Sequence, residues 1–456
     1  MPRTVEARAA GAARRSGPRD ASSSGSSAPQ PLAAYPRFPA DLRSASRRER
    51  GHRSLNLRRL QMSGDRPPID LGLDELPGAE LHDELRRNRE KGPVQPALFQ
   101  GFPAFVITGY EALLEAFLDE ERFPPHLMYK ASLEPAIGES FISMPERERH
   151  LLYRKLATPA FRSRAVASYE KEGLAALAHE VMDGLEGRDE IDLMADFAAR
   201  FPYLVITRLL GLPRDREEEF HAWALALLRF REEPERAVQA EKEFTAYLTP
   251  VIEARRSEPR NDVISELIGA EVDGRRLTDA EIGSHVRLLF PTGGESNHAG
   301  LGNLLYALLT HEGAWENLRQ QPERTADAVE EVLRWETSIA GVPRISCNQP
   351  VEFWGVEIPA DSWVLFSIAG ANRDPAVFPD PDRFDLDRES REGLTFGRGV
   401  KSCPGMHLAR RNMQVGLEVL LERLPALELL DSDAARPRHA VLRSPAALRV
   451  AVRRGR

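Results

Sequence analysis

The stretch Phe396-Gly397-Arg398-Gly399-Val400-Lys401-Ser402-Cys403-Pro404-Gly405 sets one cysteine between a glycine-rich turn and a run of helical periodicity that continues to about Leu424. Glycines here free the backbone to turn sharply and to approach a flat ligand closely. Pro404 suits a first helical position, where no N–H is needed, so the spacing predicts a helix over about 404–424 that starts directly after the cysteine. Helix N-termini carry unpaired N–H groups and partial positive charge, which favour a thiolate over a thiol. Cys347 is the only other cysteine in 456 residues, which excludes a disulfide scaffold and any four-cysteine zinc site. Cys403 therefore reads as a chemical group.

Composition sets the frame around it. A chain of this length with 42% apolar residues can bury a core large enough to enclose a ligand cavity. Residues 1–61 hold 13 arginines against Glu6, Asp20, Asp41 and Glu49, net +9, so the overall charge of −8 leaves −17 on the remainder. That basic segment is rich in Ala, Ser and Pro and poor in large apolar side chains, so it is expected to be a disordered extension, with 62–456 as the folded domain. No run of 18 apolar residues occurs, and the expectation is a cytoplasmic monomer with neither a membrane nor a nucleic-acid partner.

Along the chain, helical periodicity over 74–89 gives way to strand-like "PALFQGFPAFVITG" at 96–109, with a Gly-Phe-Pro turn in its middle. Residues 145–340 read as amphipathic helices, broken at "GLPRDR", "RSEPRND" and a short hairpin in "AEVDGRRLT". Then come β-rich 351–368, an irregular Pro/Asp-rich stretch over 372–388 and the final helix. The sum is mainly α with small β-sheets, in one domain.

Four further groups stand at suggestive spacings. Glu331 and Arg334 share one helical face; His150 and Arg154 lie one turn apart; Arg344 sits in "GVPRIS"; and Thr292-Gly293-Gly294-Glu295-Ser296 lies in mid-helix. Together with F-x-x-G-x-x-x-C-x-G at 396–405, they resemble the cytochrome P450 superfamily, in order and spacing, over about residues 70–456. The resemblance implies a triangular, mainly helical fold holding one haem b non-covalently. Cys403 would ligate the iron, and Phe396, Gly405 and Gly293 would lie against the cofactor. His150, Arg154, Arg344 and Lys401 would meet the haem propionates. Glu331, Arg334 and Arg383 would form the family's buried triad, and Glu295 and Ser296 would deliver protons on the oxygen side.

The implied reaction inserts one oxygen atom of O₂ into a small apolar substrate, by hydroxylation or epoxidation. Electrons would come from NAD(P)H through a reductase and a ferredoxin or flavodoxin, because no flavin or iron–sulfur module is fused. A peroxide-driven hydroxylase or isomerase, and a non-catalytic haem carrier or sensor, are the alternatives. Two departures are visible: Lys401 stands where the family often has His or Arg, and Ser296 replaces threonine. Pro291 and the paired glycines predict a local opening of the helix. Arg398, Lys401, Arg410, Arg411, Arg147 and Lys155 predict a basic docking patch over the proximal face. Segments 127–142, 290–293 and 339–342 are expected to line the pocket.

Overall fold

The computed structural model describes residues 69–72, 78–171, 173–389 and 392–453, all within one compact unit, Gly51–Arg456. The extension expected at 1–61 lies outside the described residues. After α1 (Leu81–Lys91), strands β1 (Val94–Phe99) and β2 (Phe102–Ile107) pair antiparallel. Their turn is Gln100-Gly101, one step earlier than predicted, and Phe102 and Pro103 already belong to β2. A two-residue hairpin of this hand wants positive φ at both central positions. Gln100 at +53° and Gly101 at +76° supply it, whereas proline is locked near −65°.

Strands β4 (Gly341–Ile345) and β7 (Trp363–Ser367) complete a sheet of order β1-β2-β7-β4, in which β2 and β7 run parallel. The expected β-rich segment also forms a two-stranded ribbon of β5 (Val351–Phe353) and β6 (Val356–Ile358). A third sheet joins β3 (Glu190–Asp192), β9 (Arg449–Val452) and β8 (Leu427–Leu429). The remainder of the core is helical, including α2 (Tyr110–Leu118), α3 (Pro125–Ser132), α4 (Arg147–Ala157), α5 (Phe201–Leu210), α6 (Glu217–Leu228) and α7 (Pro234–Ser257). No helix among the described residues is long and apolar enough to cross a membrane.

Helix α8 (Asp279–Thr310) runs through the middle, buried on most of its circumference. A capping box starts it: the Thr278 hydroxyl accepts from Glu281 N–H, and the Glu281 carboxylate accepts from Thr278 N–H. The expected opening at Pro291 is absent, and the helix is continuous. Side chains help to hold it: Thr292 Oγ1 donates to Leu288 O (2.6 Å), Ser296 Oγ to Thr292 O (2.7 Å) and Asn297 Nδ2 to Gly293 O (2.7 Å). The glycines serve packing. A Cβ on Gly293 would stand 3.2 Å from Ile206, and one on Gly294 would stand 2.6 Å from the Tyr203 ring.

Helix α9 (Thr325–Trp335) carries Glu331 and Arg334, and α10 (Met406–Arg423) follows the cysteine. Gly300 of α8 packs on Met413 of α10, whose Gly416 meets Phe201 and Leu301. Helix α10 starts at Met406 with Gly405 at its N-cap, so Pro404 belongs to the turn before it and not to its first position.

The Glu331 carboxylate takes both prongs of Arg334, Nε at 2.9 Å and Nη2 at 2.7 Å, with both residues buried. The third member of the triad is not Arg383. That side chain is 70% exposed and only its carbonyl joins the network, accepting from Arg334 and Arg388. Arg388 fills the role, with Nε 3.1 Å from Glu331 Oε1. Arg334 and Arg388 also donate to the carbonyls of Asn372, Pro379, Asp380 and Pro381. They thereby satisfy a segment that has no ladder of its own. Replacing Arg388 with methionine should lower stability by about 3 kcal/mol, because it strips a partner from a buried carboxylate. Arg383→Met should stay within about 0.5 kcal/mol, and urea unfolding of the two variants measures the contrast.

Candidate active site

Three backbone bonds set the cysteine loop: Gly397 N–H to Leu394 O (2.8 Å), Ser402 N–H to Gly399 O (3.2 Å) and Cys403 N–H to Phe396 O (2.9 Å). Gly399 sits at φ +72°, and the Phe117 carbonyl lies 2.9 Å from where a Cβ would be. Only glycine meets both conditions. Phe396 is roofed by the Arg410 guanidinium, 4.5 Å above its ring. Burial pushes the Cys403 thiol up, while the Gly405 N–H on its sulfur and the charges of Arg154 and Arg410 pull the other way without prevailing. The expected preference for thiolate is therefore outweighed in the protein alone: desolvation costs an anion more than these groups return.

Beside the loop lies a cleft whose walls include Phe117, Phe123, Phe366, Arg344 and Lys401. Arg344, 4% exposed, stacks on Tyr129 and Phe366 and donates to the Pro343 carbonyl (3.0 Å). Among the described residues it has no carboxylate partner. Lys401 Nζ donates to Phe141 O and Ile142 O, both at 2.9 Å, and burial, reinforced by Arg344 and Arg154 and only partly offset by Glu120, pulls its pKa down to about 7. Arg154 donates to Val400 O (3.1 Å) and lies 3.5 Å from the Ser402 hydroxyl. Buried cations without counter-charge are costly. An aromatic-walled slot edged by such cations suits a flat group that carries carboxylates, so the residues present fit a haem.

His150 departs from its expected role. Its Nδ1 lies 2.6 Å from Phe141 O and 2.9 Å from Lys401 Nζ, and its Nε2 lies 3.0 Å from Val400 O. Both ring nitrogens are thus engaged by protein groups, and the imidazole braces the cysteine loop against residues 141–142. The proximal basic patch is likewise largely spoken for. Arg410 pairs with Glu330, Arg411 with Glu418, Arg398 with Glu392 and Arg147 with Glu120.

On α8, Glu295 is 12% exposed and accepts a hydrogen bond from Tyr203 Oη at 2.9 Å. His298 Nδ1 lies 3.6 Å from Oε1 and His221 Nε2 4.0 Å from Oε2. Burial opposes ionisation of this carboxyl, but His298, Tyr203 and His221 together hold it below the usual range. Tyr203 and His221 come from α5 and α6, and no local pattern announces them. The i, i+3 spacing of Glu295 and His298 was a legible signal that sequence reasoning passed over. Gly293 turns its open side to Ile206, and Phe290 packs into Tyr203, Phe220 and Phe244. Both therefore face neighbouring helices, which removes Phe290 from the expected pocket lining.

Comparison with known proteins agrees with this geometry. The family profile "Cytochrome P450" matches residues 220–442. Cytochrome P450 107B1 of Saccharopolyspora erythraea is 32% identical over 83% of this chain and 96% of that protein. The 6-deoxyerythronolide B hydroxylase of the same organism is 33% identical over 76% of this chain and 89% of that protein. The crystal structure of myxobacterial cytochrome P450 CYP267B1 in complex with myristic acid superposes with a TM-score of 0.76 at 31% identity, covering 83% and 97% of the two chains. The chain belongs to the cytochrome P450 family, whose fold it has and whose haem cofactor that membership implies, and it is a monooxygenase.

Proposed function

We propose that this enzyme holds haem b through Cys403 and hydroxylates or epoxidises a small apolar substrate, with NAD(P)H-derived electrons delivered by a separate ferredoxin or flavodoxin. The observation that carries the reading is Arg344, a buried cation with no carboxylate partner among the described residues, which together with half-buried Lys401 edges the aromatic cleft beside the Cys403 loop. Arg344, Lys401 and Arg154 would take the haem propionates, and the Gly405 N–H would temper the sulfur's electron donation. A thiolate-ligated haem, when bound, supplies the chemistry of O–O cleavage. With Cys403 assigned to the haem, Cys347 is the one cysteine left in this sequence and cannot hold an iron–sulfur cluster alone, which supports a separate electron donor. An apolar substrate is supported by the myristic acid bound to CYP267B1 and by the aliphatic and aromatic character of segments 127–137 and 339–342.

The chain's own part in the chemistry is proton control. Ser296 gives its hydroxyl proton to the Thr292 carbonyl, and rotation about one bond would release it toward the oxygen side. Serine lacks the methyl that would fix that rotamer. Glu295, one residue earlier, would hold the proton to be passed.

The reduced carbonyl complex should show the far red-shifted Soret band of thiolate ligation, and Cys403→Ala should abolish it; an unshifted band in the parent protein overturns the reading. Arg344→Met and Lys401→Met should each speed haem transfer to excess apomyoglobin about tenfold, as the loss of one charge-assisted hydrogen bond requires. Ser296→Ala should lower the product formed per NAD(P)H consumed, and unchanged coupling would remove Ser296 from the proton path.

A further inference from the structure

The surroundings of Glu295 are not explained by its position on α8 alone. Three titratable groups face it: Tyr203 from α5, His221 from α6 and His298 from α8 itself. Tyr203 fixes one carboxylate oxygen by its hydrogen bond, and the missing Cβ of Gly294 gives the phenol ring its place, since the side chain of any other residue would stand 2.6 Å from it. The His298 Nδ1 is buried with no hydrogen-bond partner and lies 3.6 Å from the other oxygen. His221 differs from both. Its side chain is 38% exposed, with Nε2 4.0 Å from Glu295 Oε2, and its ring lies 4.8 Å, centroid to centroid, from that of Tyr203. A group that meets solvent at one edge and stands 4.0 Å from a buried carboxylate at the other, a gap that one side-chain rotation or a single bridging water closes, has the geometry of a proton entry.

We propose that protons reach Glu295 from solvent through His221, with Tyr203 and His298 as positioning residues that keep the carboxylate turned toward that entry. In the transfer, imidazolium Nε2–H gives its proton to Glu295 Oε2; the N–H bond breaks, the O–H bond forms, and neutral His221 takes a replacement proton from water. The Glu295 acid then turns toward Ser296 and transfers its proton to Oγ as the hydroxyl proton already there leaves on the oxygen side, so that serine is left neutral and Glu295 returns as carboxylate to the Tyr203 hydroxyl. Burial holds the pKa of His221 below the ordinary imidazole value although Glu295 pulls it up, so a protonated imidazole at this place gives its proton up readily. No permanently charged arginine or lysine ion-pairs with Glu295 among the described residues. Its hold therefore loosens as His221 deprotonates.

This inference rests on the haem and Glu295 roles proposed above, and its test separates the two. Carbon monoxide bound to the reduced holoenzyme is the probe, read as the C–O stretching frequency against pH, alongside ¹⁵N-histidine NMR titration of the same diamagnetic complex. The C–O band should shift with the midpoint of His221, and His221→Gln should remove that shift while leaving the red-shifted Soret band intact. Glu295→Gln should also remove it and lower the His221 midpoint by about 0.5, the effect of deleting a nearby anion at a partly exposed site. His298→Gln should keep the band's pH dependence with an altered midpoint. A wild-type pH profile in His221→Gln, or a His221 midpoint indifferent to Glu295→Gln, overturns the proposal. Loss of the red-shifted Soret band in the parent protein would instead sink the haem-thiolate reading.

Discussion

A single buried carboxylate, that of Glu331, organises the side of the molecule on which the cysteine sits. A charge out of water is tolerated only when its lone pairs are filled, and Glu331 fills them with Arg334, Arg388 and the Asp385 N–H. Those two guanidiniums then have donors left over for the carbonyls of 372–383. Asn372, at the head of that segment, passes the restraint on: its side chain accepts from Leu394 N–H and donates to Thr395 Oγ1. Thr395 in turn donates to the Leu333 carbonyl at the end of α9. The next residue is Phe396. The cysteine loop is thus hung from a chain of charge-assisted bonds that starts about 70 residues upstream, which is why a segment without helix or strand can hold a sulfur in one place.

The sequence disclosed the parts whose physics is local. Helix and strand periodicities, the i, i+3 relation of Glu331 and Arg334, and the glycines of the cysteine loop all describe neighbours in the chain, and the structure places them as expected. What it hid depends on partners far along the chain. Arg383 and Arg388 lie in one motif and differ only in which side chain turns inward, and the fold of 379–388 settles that. The basic patch is largely paired off for the same reason: Glu120, Glu330 and Glu418 are remote from, or unremarkable beside, the arginines they neutralise. Pro291 and two glycines spelled a broken helix by propensity, yet tertiary packing against Ile206 and Tyr203, with three side-chain donors, kept it whole. Tyr203 and His221 reach Glu295 only through the packing of α5 and α6 on α8.

The cationic groups near Cys403 divide by what they touch. His150 engages both ring nitrogens with Phe141, Lys401 and Val400 and so shapes the loop, whereas Arg154 commits one N–H to Val400 O and one toward Ser402 Oγ and keeps further donors for a carboxylate. Arg344 and Lys401 stand beside aromatic walls, hydrogen-bonded to carbonyls, a phenol and an imidazole and to no carboxylate. The family resemblance grouped all four together; the distinction between bracing and binding needs the count of donors already used.

The continuity of α8 has a kinetic meaning. Because Thr292, Ser296 and Asn297 each cap a carbonyl inside an intact helix, the groups nearest the oxygen side can rearrange by rotation of side chains without unwinding backbone. Rotamer hops of lightly held side chains take picoseconds to nanoseconds, whereas collective backbone motions take microseconds or longer. A side-chain gate of this kind would never be the slow event of a turnover cycle, and whatever limits the cycle would lie in the arrival of substrate, electrons or solvent protons.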